Sequence, residues 1–228
     1  MRLVATFLNA LYPRSVTCDL CGRDAFLEAA GPGAFLCPAC LQLLRPAPPL
    51  PPPARLEGLA AGLAYTEEAA RLIHRFKYGG AQYLAETLAA FLPPPPGADC
   101  VVPVPLYPGR QRKRGYNQSE LLARCLARDT GIPLEPGLLA RLRDTPSQTA
   151  LHPGGRARNV RGAFRAQGSA LGRRVLLVDD VCTTGATLSE CARVLRAAGA
   201  AGVWAMAACA VPCHTAGFSV CRPPADCR

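Results

Sequence analysis

The amino-acid sequence predicts an α/β protein with a mostly parallel sheet flanked by helices, preceded by a small N-terminal module. Two observations support this. Short apolar runs alternate with amphipathic stretches after residue 53, and Cys-x-x-Cys pairs occur only within the first 40 residues. Strands that alternate with helices imply a mostly parallel sheet. The predicted strands cover residues 59–65, 100–105, 174–178 and 203–211, and the predicted helices cover 67–76, 82–91 and 117–128.

A chain of 228 residues can hold one complete α/β domain and a small appendage. The proline-rich residues 45–53 cannot donate most of the hydrogen bonds of a helix or sheet, so an extended, semi-rigid linker is expected there. The predicted organisation is an N-terminal segment with a cysteine module (1–44), the linker (45–53), an α/β domain (54–211) and a tail (212–228).

The charge balance favours anionic partners. Lys and Arg number 26 against 16 Asp and Glu, a net charge of +10, which suits phosphorylated small molecules, nucleic acid or an acidic protein. No apolar run approaches the roughly 20 residues that span a bilayer, so no membrane insertion is expected. The apolar residues 3–12 contain Asn9 and no clear cleavage site, which predicts a cytoplasmic protein.

Four cysteines predict a metal site. Cys18, Cys21, Cys37 and Cys40 form two Cys-x-x-Cys pairs separated by 15 residues. Each pair offers two thiolates that can share one tetrahedral zinc ion, and four thiolates close a structural site with no position for water. Two labile disulfides or a redox pair are the alternatives, but neither explains a matched second pair. We expect a structural zinc in a zinc-ribbon-like module.

Residues 175–187 combine a buried-strand pattern, two adjacent carboxylates and a loop rich in hydroxyl groups and glycine. The apolar periodicity that follows predicts a helix, so the loop lies at a helix N-terminus, where free N–H groups and the helix dipole attract a phosphate. Asp179 and Asp180 end the predicted strand and suit a sugar diol or a hydrated magnesium ion. A plain strand end with a helix cap is the alternative.

A second anion-seeking loop lies between the predicted strand 100–105 and the helix that begins at Asn117. It carries four cations, Arg110, Arg112, Lys113 and Arg114. Because both loops follow parallel strands, we expect them to lie side by side, where a pyrophosphate would fit. An exposed basic loop is the alternative.

A third segment, residues 141–164, has prolines, glycines and cations but little periodicity. Long loops of this kind in compact domains are usually functional lids or disordered. A lid would keep a reactive sugar centre from water, whereas a solvated insertion would have no such role.

Together these segments resemble the ComF family, whose members are phosphoribosyltransferase-like, carry an N-terminal zinc finger and are associated with DNA uptake in naturally competent bacteria. The 175–187 segment is similar to the phosphoribosyl pyrophosphate (PRPP) signature of type I phosphoribosyltransferases. The resemblance covers roughly residues 5–211. The motifs that carry it, in chain order, are Cys-x-x-Cys-Gly, Lys77-Tyr-Gly-Gly, Val-Pro-Val-Pro, Arg-Gly-Tyr-Asn-Gln, Pro146-Ser-Gln, Arg158-Asn-Val-Arg-Gly-Ala-Phe and Val-Asp-Asp-Val-x-Thr-Thr-Gly-Ala-Thr.

The resemblance implies a type I phosphoribosyltransferase fold and a site for PRPP with magnesium. Asp179 and Asp180 would hold the ribose hydroxyls. The implied 5′-phosphate loop is Thr183, Thr184, Gly185, Ala186 and Thr187. The implied pyrophosphate ligands are Arg110, Arg112, Lys113 and Arg114, with Lys77 as a further candidate, and the candidate lid residues are Gln148, Arg156 and Arg158.

Two functions fit these expectations. The first is an enzyme that transfers phosphoribose from PRPP to a nitrogen nucleophile and releases pyrophosphate. The second is a non-catalytic accessory protein of the DNA-import machinery that binds PRPP and nucleic acid. Single-stranded DNA, an import helicase and other competence proteins are the expected partners. Aromatic residues make up only 6% of the chain, so salt-sensitive phosphate binding is expected rather than base readout.

Two stretches depart from the family pattern. His152-Pro-Gly-Gly stands in the predicted lid where a more helical, charged stretch is expected. The tail 212–228 lies beyond the pattern and contains Cys213, His214, Cys221 and Cys227. Their spacing matches no standard ligand set, so either a second metal site or a flexible tail is compatible with them.

Overall fold

Four parallel strands form the central sheet of this computed structural model, which describes residues 17–23, 35–145 and 160–211. They are β1 (Gly58–Ala64), β2 (Cys100–Pro103), β5 (Arg174–Cys182) and β6 (Gly202–Ala210), in the order β1-β6-β5-β2. Two short strands, β3 (Leu139–Arg141) and β4 (Phe164–Ala166), form a separate antiparallel pair. The predicted α/β class with a parallel sheet is therefore confirmed.

Six helices connect or flank these strands in the described residues. They are α1 (Pro38–Leu43), α2 (Glu67–Tyr78), α3 (Leu84–Ala89), α4 (Pro108–Arg114), α5 (Gln118–Thr130) and α6 (Ala186–Ala197). Local sequence explains where the longer ones begin. The Thr66 side chain accepts a hydrogen bond from the N–H of Ala69 at the start of α2, and Asn117 accepts one from Ser119 at the start of α5. Gly131, in the left-handed conformation, ends α5.

One sequence-based expectation was wrong and two were incomplete. Residues 108–114, expected as a loop, form helix α4, because Pro108 is favourable in a first helical turn and Gly115 supplies a left-handed end. The long 141–164 loop is bounded by the paired strands β3 and β4, which are too short to show a periodic pattern. The strand predicted at 174–178 also runs on to Cys182, so the two acidic residues lie within it.

The core lies on both faces of the sheet. Successive residues of β5 alternate between the faces, as the period of a strand requires. Leu176 and Val178 pack in a cluster with α2, α3 and α5, whereas Val175 and Leu177 pack in a second cluster with α6 and the β3–β4 pair. All four side chains are fully buried, so β5, one of the two interior strands of the sheet, contributes to both layers of the core.

The cysteine module and the proline-rich segment pack directly on the α/β domain. Cys18 and Cys40 belong to the same buried cluster as Phe76 of α2. The N–H of Ala64 donates to the carbonyl of Arg45, and that of Ala47 donates to Gly62. The first residues of the proline-rich segment thus run antiparallel beside β1.

The end of the proline-rich segment touches the loop that follows β5. Gly185 adopts φ +71°, which L side chains rarely adopt, and a Cβ placed on it would overlap the ring of Pro53. Just beyond, the Ser189 hydroxyl donates to the carbonyl of Ala54 at 2.9 Å. Gly185 is therefore required both by its backbone conformation and by the ring packed against it.

In the ranges that the structure covers, no helix has the length and apolar character needed to cross a membrane.

A Gly185→Ala substitution tests the packing of Pro53. We expect it to lower the free energy of unfolding by about 2–4 kcal/mol, because about 1–2 kcal/mol comes from the left-handed conformation and the rest from the overlap with the ring. Gly172→Ala is the matched control, since Gly172 has φ +69° with nothing within 4 Å of a Cβ. Urea unfolding should separate the two variants; equal losses would mean that Pro53 contributes nothing.

Candidate functional site

Two adjacent carboxylates occupy the carboxyl-terminal half of β5. Asp180 is only 8% exposed, and Asp179 is partly buried. One oxygen of Asp179, Oδ1, accepts hydrogen bonds from the Ser119 hydroxyl and from the N–H of Asp180, both at 2.9 Å. Ser119 lies in the first turn of α5, which Asn117 caps, so the start of that helix orients the carboxylate.

The surroundings of Asp179 disfavour its ionised form and raise its pKa. Burial raises its pKa to about 7, and the neighbouring charge of Asp180 acts in the same direction. The hydrogen bond from Ser119 and the charge of Lys77 oppose this only in part. A ligand that brings hydroxyl donors or positive charge would favour the ionised form of Asp179.

Lys77 forms an ion pair with the second carboxylate. Its Nζ lies 3.1 Å from Oδ2 of Asp180, and 25% of the Lys77 side chain is exposed. Burial alone would lower the pKa of Lys77, but the carboxylates of Asp180 and Asp179 outweigh it and raise that pKa. The structure therefore brings Lys77 to the acidic pair.

The predicted phosphate loop leads from β5 directly into α6. Gly185 precedes the first turn of this 12-residue helix, and no side chain caps it. A small cleft opens here, lined by Asp179, Val181, Cys182, Thr183, Gly185, Ala186, Thr187 and Leu188. Burial raises the pKa of Cys182 to about 12, so its thiol stays neutral and adds no negative charge. The loop combines a helix N-terminus, hydroxyl groups and a close-approach glycine in one cleft.

The cations of helix α4 contact two different parts of the protein. Arg110 forms an ion pair with Asp144 at 2.7 Å, and its guanidinium donates to the carbonyl of Thr145. The Arg114 guanidinium lies over the ring of Tyr78 of α2, 5.2 Å from its centroid. Arg112 and Lys113 are exposed. One end of α4 thus faces the segment after β3, and the other faces the residue that follows Lys77.

Arg141 at the end of β3 is a site cation that sequence reasoning missed. Its Nη2 donates to the Thr145 hydroxyl at 2.5 Å, and its guanidinium lies 5.3 Å from the centroid of the Phe164 ring. Burial lowers the pKa of Arg141, the charge of Arg110 lowers it further, and Asp179 acts in the opposite direction. Two guanidinium groups held close enough to repel each other form an attractive environment for an anion.

Ser119 was missed as well. It lies directly after the Asn-Gln pair at the capped start of α5, and that capping pattern was its only sequence signal.

The predicted lid residues Gln148, Arg156 and Arg158 lie outside the described residues, as does the Cys/His tail. Beyond the undescribed part of the lid, the N–H of Gly162 donates to Oε1 of Glu190 in α6 at 2.7 Å.

The four N-terminal cysteines gather into one cluster. The sulfur atoms of Cys18, Cys21, Cys37 and Cys40 all lie within 4.8 Å of one another, and those of Cys21 and Cys37 are 4.0 Å apart. Tetrahedral Zn–S bonds of about 2.3 Å require sulfur separations of about 3.8 Å, so small side-chain adjustments suffice. This cluster can hold a metal ion.

Backbone groups prepare one thiol of this cluster for a metal. Burial would raise the pKa of Cys18, but hydrogen bonds from the backbone of Cys21, Cys37 and Leu20 outweigh it and lower that pKa to about 6. Burial also raises the pKa of Cys40, and there the neighbouring cysteine side chains act in the same direction, so that pKa stays raised. Because a bound metal requires deprotonated thiols, metal loading of the cluster would release protons.

Comparison with known proteins identifies the family. Residues 116–216 match the phosphoribosyl transferase domain. The DNA utilization protein YhgH of Salmonella typhi is 33% identical over 211 residues, which cover 88% of this chain and 87% of that protein. Competence protein F of Haemophilus influenzae is 36% identical over 163 residues, covering 63% and 69%. The chain belongs to the ComF family. Its fold is the type I phosphoribosyltransferase fold, and the ComF resemblance stated above is confirmed.

Solved structures similar to this ComF chain include two enzymes. Glutamine PRPP amidotransferase from B. subtilis, complexed with ADP and GMP, is 28% identical with a TM-score of 0.36 and covers 57% of this chain; the match spans 26% of the enzyme's own length. Purine phosphoribosyltransferase from Pyrococcus horikoshii is 15% identical with a TM-score of 0.32, covering 66% of this chain and 92% of that chain.

Replacing Asp179 by Asn should stabilise the folded protein at neutral pH. Between the unfolded pKa of about 3.9 and the folded value of about 7, the folded state binds more protons, so wild-type stability falls as pH rises through this window. Asn cannot ionise and keeps an acceptor for Ser119. We expect Asp179→Asn to exceed wild type by up to about 4 kcal/mol at pH 8, with the difference vanishing near pH 4.

Asp99→Asn supplies a control of opposite sign. Hydrogen bonds from Arg174 lower the pKa of Asp99, so this exposed variant should lose a little stability at pH 8 rather than gain it. Urea unfolding at pH 4, 6 and 8 measures both variants. A destabilised Asp179→Asn protein at pH 8 would show that folding does not disfavour the ionised form of Asp179.

Proposed function

We propose that this protein binds PRPP together with magnesium and acts as a phosphoribosyltransferase. The observation that carries the proposal is the Asp179–Asp180 pair on β5, which Ser119 and Lys77 hold directly before a glycine loop at the N-terminus of α6. The pair offers acceptors for a ribose diol, and the loop offers donors for a phosphate. Both features would engage one sugar phosphate.

The charge distribution favours the pyrophosphate end of the same ligand. Cations from three elements contribute to this distribution. Lys77 pairs with Asp180, Arg141 interacts with both Asp179 and Arg110, and Arg114 lies over the ring of Tyr78, the residue after Lys77. A pyrophosphate could exchange the Asp144 partner of Arg110 for its own oxygens. Magnesium bound with PRPP would neutralise part of the pyrophosphate charge, and the two aspartates are the carboxylates at hand to hold it.

The proposed reaction needs no protein nucleophile. A nitrogen nucleophile attacks C1 of the ribose, the bond from C1 to the pyrophosphate oxygen breaks with its electrons going to pyrophosphate, and the nitrogen loses its proton to solvent. The protein would act by positioning the sugar and by stabilising the charge of the leaving group. We further propose that the cysteine cluster holds a structural zinc in a module of residues 1–44, and that the chain acts in the cytoplasm.

The Asp179→Asn variant tests PRPP binding without the ambiguity of unfolding. Titration calorimetry of wild type with PRPP and magnesium should show binding, and the variant should bind at least about a hundredfold more weakly, because hydrogen bonds to a charged acceptor are lost. Since the variant is expected to be more stable than wild type at pH 8, loss of structure cannot explain this result. Asp99→Asn should bind like wild type.

Pyrophosphate release, measured with a panel of nucleobases and amines, then tests catalysis. Release that depends on PRPP, magnesium and one acceptor, and that disappears in Asp179→Asn, supports the enzyme. Binding without release for every acceptor would leave a PRPP-binding protein and would refute the transferase.

A second function is favoured by the surface beside the site. Tyr78 is 65% exposed, its ring lies 5.0 Å from that of His74, and the Arg114 guanidinium covers one side. Exposed aromatic rings among cations are the means by which proteins bind single-stranded nucleic acid without sequence preference. We therefore propose, as the alternative, a non-catalytic accessory role in DNA uptake through single-stranded DNA. The relatives named for competence and DNA utilization support this alternative, and an import helicase or another competence protein would be its protein partner.

Tyr78→Ala should weaken binding of a single-stranded oligonucleotide about tenfold, because a stacked base contributes about 1–3 kcal/mol. Tyr78→Phe should bind like wild type, since it keeps the ring. Leu171→Ala removes another exposed apolar side chain and serves as the control. Fluorescence anisotropy at two salt concentrations measures all three. Equal affinities of the Ala and Phe variants would remove Tyr78 from the DNA-binding surface.

A further inference from the structure

Asp19 links the cysteine cluster to the α/β domain. It lies between Cys18 and Cys21 in the chain, yet it is only 4% exposed. Its carboxylate accepts a hydrogen bond from the Thr87 hydroxyl of α3, and its carbonyl accepts one from Arg75 of α2. The proposed reaction does not use this buried acid, so we looked for its role in its contacts with Thr87 and Arg75.

Through Arg75, Asp19 contacts the last turn of α2. Arg75 also donates to the hydroxyl of Tyr83 at 2.7 Å, which fixes the guanidinium between the module and α3. The next residue, Phe76, accepts a hydrogen bond through its carbonyl from the Tyr116 hydroxyl. Lys77 then reaches Asp180 at 3.1 Å. One helical turn therefore connects the cysteine module to the acidic pair.

We propose that the four-cysteine module is a positioning element of the PRPP site, and that Asp19 transmits its position to Lys77 by holding Arg75 and Thr87. The affinity part of this inference rests on the proposed PRPP function. Asp19 is a positioning residue, since it touches neither the acids nor the phosphate loop.

The physical basis is the position of Lys77 near a helix end. The last residues of a helix fray unless tertiary contacts hold them, and a lysine side chain has several rotatable bonds to restrict before its ammonium group pairs with one carboxylate. Arg75, two residues earlier, anchors the helix to a segment that the cysteine cluster itself constrains. Loosening that anchor should widen the range of positions of Lys77 and weaken its contact with Asp180.

A metal bound by the cysteines would add rigidity to this arrangement. The close gathering of the four sulfur atoms fits such an ion. The residues that transmit the constraint belong to the chain itself, so the inference can be tested at constant metal content.

Thr87→Val is the decisive variant, because it keeps the shape of the side chain and removes the hydrogen bond to Asp19. We expect it to retain its metal, measured by elemental analysis, and to bind PRPP with magnesium about five- to tenfold more weakly than wild type. Thr87→Ser should restore the affinity. Thr130→Val, which removes a threonine hydrogen bond to Leu126 at the far end of α5, should have no effect.

A double-mutant cycle with Lys77→Met distinguishes positioning from general weakening. If Asp19 acts through Lys77, Thr87→Val should change the affinity less than about twofold in the Lys77→Met background. An equal loss in both backgrounds, or no loss in the wild-type background, would overturn the proposal.

Amide hydrogen exchange provides a readout that needs no PRPP. In the metal-loaded protein, Thr87→Val should accelerate exchange of the amides of residues 76–79, and Thr130→Val should not. If wild type fails to bind PRPP, the proposed function fails, while the exchange result still decides the positioning role. Unchanged exchange in residues 76–79 would refute that role whatever the binding result.

Discussion

Asp179 and Asp180 are adjacent on a buried strand, so their charges repel each other and are largely removed from water. Contacts from the surrounding helices compensate for this electrostatic cost. β5 is an interior strand of the sheet, and its fully buried run from Val175 to Val178 ends directly at Asp179. Compensation comes from other elements: a hydroxyl from α5 and an ammonium group from α2. The compensation is incomplete, as the raised pKa of Asp179 shows. The folded protein thus keeps unfavourable electrostatic energy that a suitable ligand would relieve.

Like charges are also held close together among the cations. Arg110 and Arg141 lie close enough to lower the pKa of Arg141, and both are tied to Thr145, which is only 2% exposed. Two positive charges are thus held together at Thr145, while the two carboxylates lie on β5. The proposed ligand, with a diol at one end and phosphates at the other, would place hydroxyl donors at the carboxylates and negative charge at the guanidinium groups.

Sequence reasoning recovered what depends on local patterns. The parallel sheet, the capped helices and the loop before α6 all followed from periodicity and from single residues such as Asn117 and Gly185. It failed where two distant segments had to meet. The ion pair of Lys77 with Asp180 joins residues about a hundred positions apart, and Arg141 enters the site only because β3 pairs with β4. Strands of three residues carry too few side chains to reveal a period, so the place of Arg141 could not be found from spacing. The ion pair depends on a tertiary contact between α2 and β5, which no local pattern encodes.

Short irregular segments cover both edges of the central sheet. Beside β1, residues 45–47 add two hydrogen bonds, and the prolines around them lack the N–H groups that a further strand would need. Beside β2, Val101 exchanges hydrogen bonds with Pro133 and Glu135. An uncovered parallel sheet would present rows of free donors and acceptors to other copies of the chain, which invites aggregation. The proline-rich stretch that looks like a passive spacer in the sequence therefore also protects the protein against uncontrolled self-association at a sheet edge.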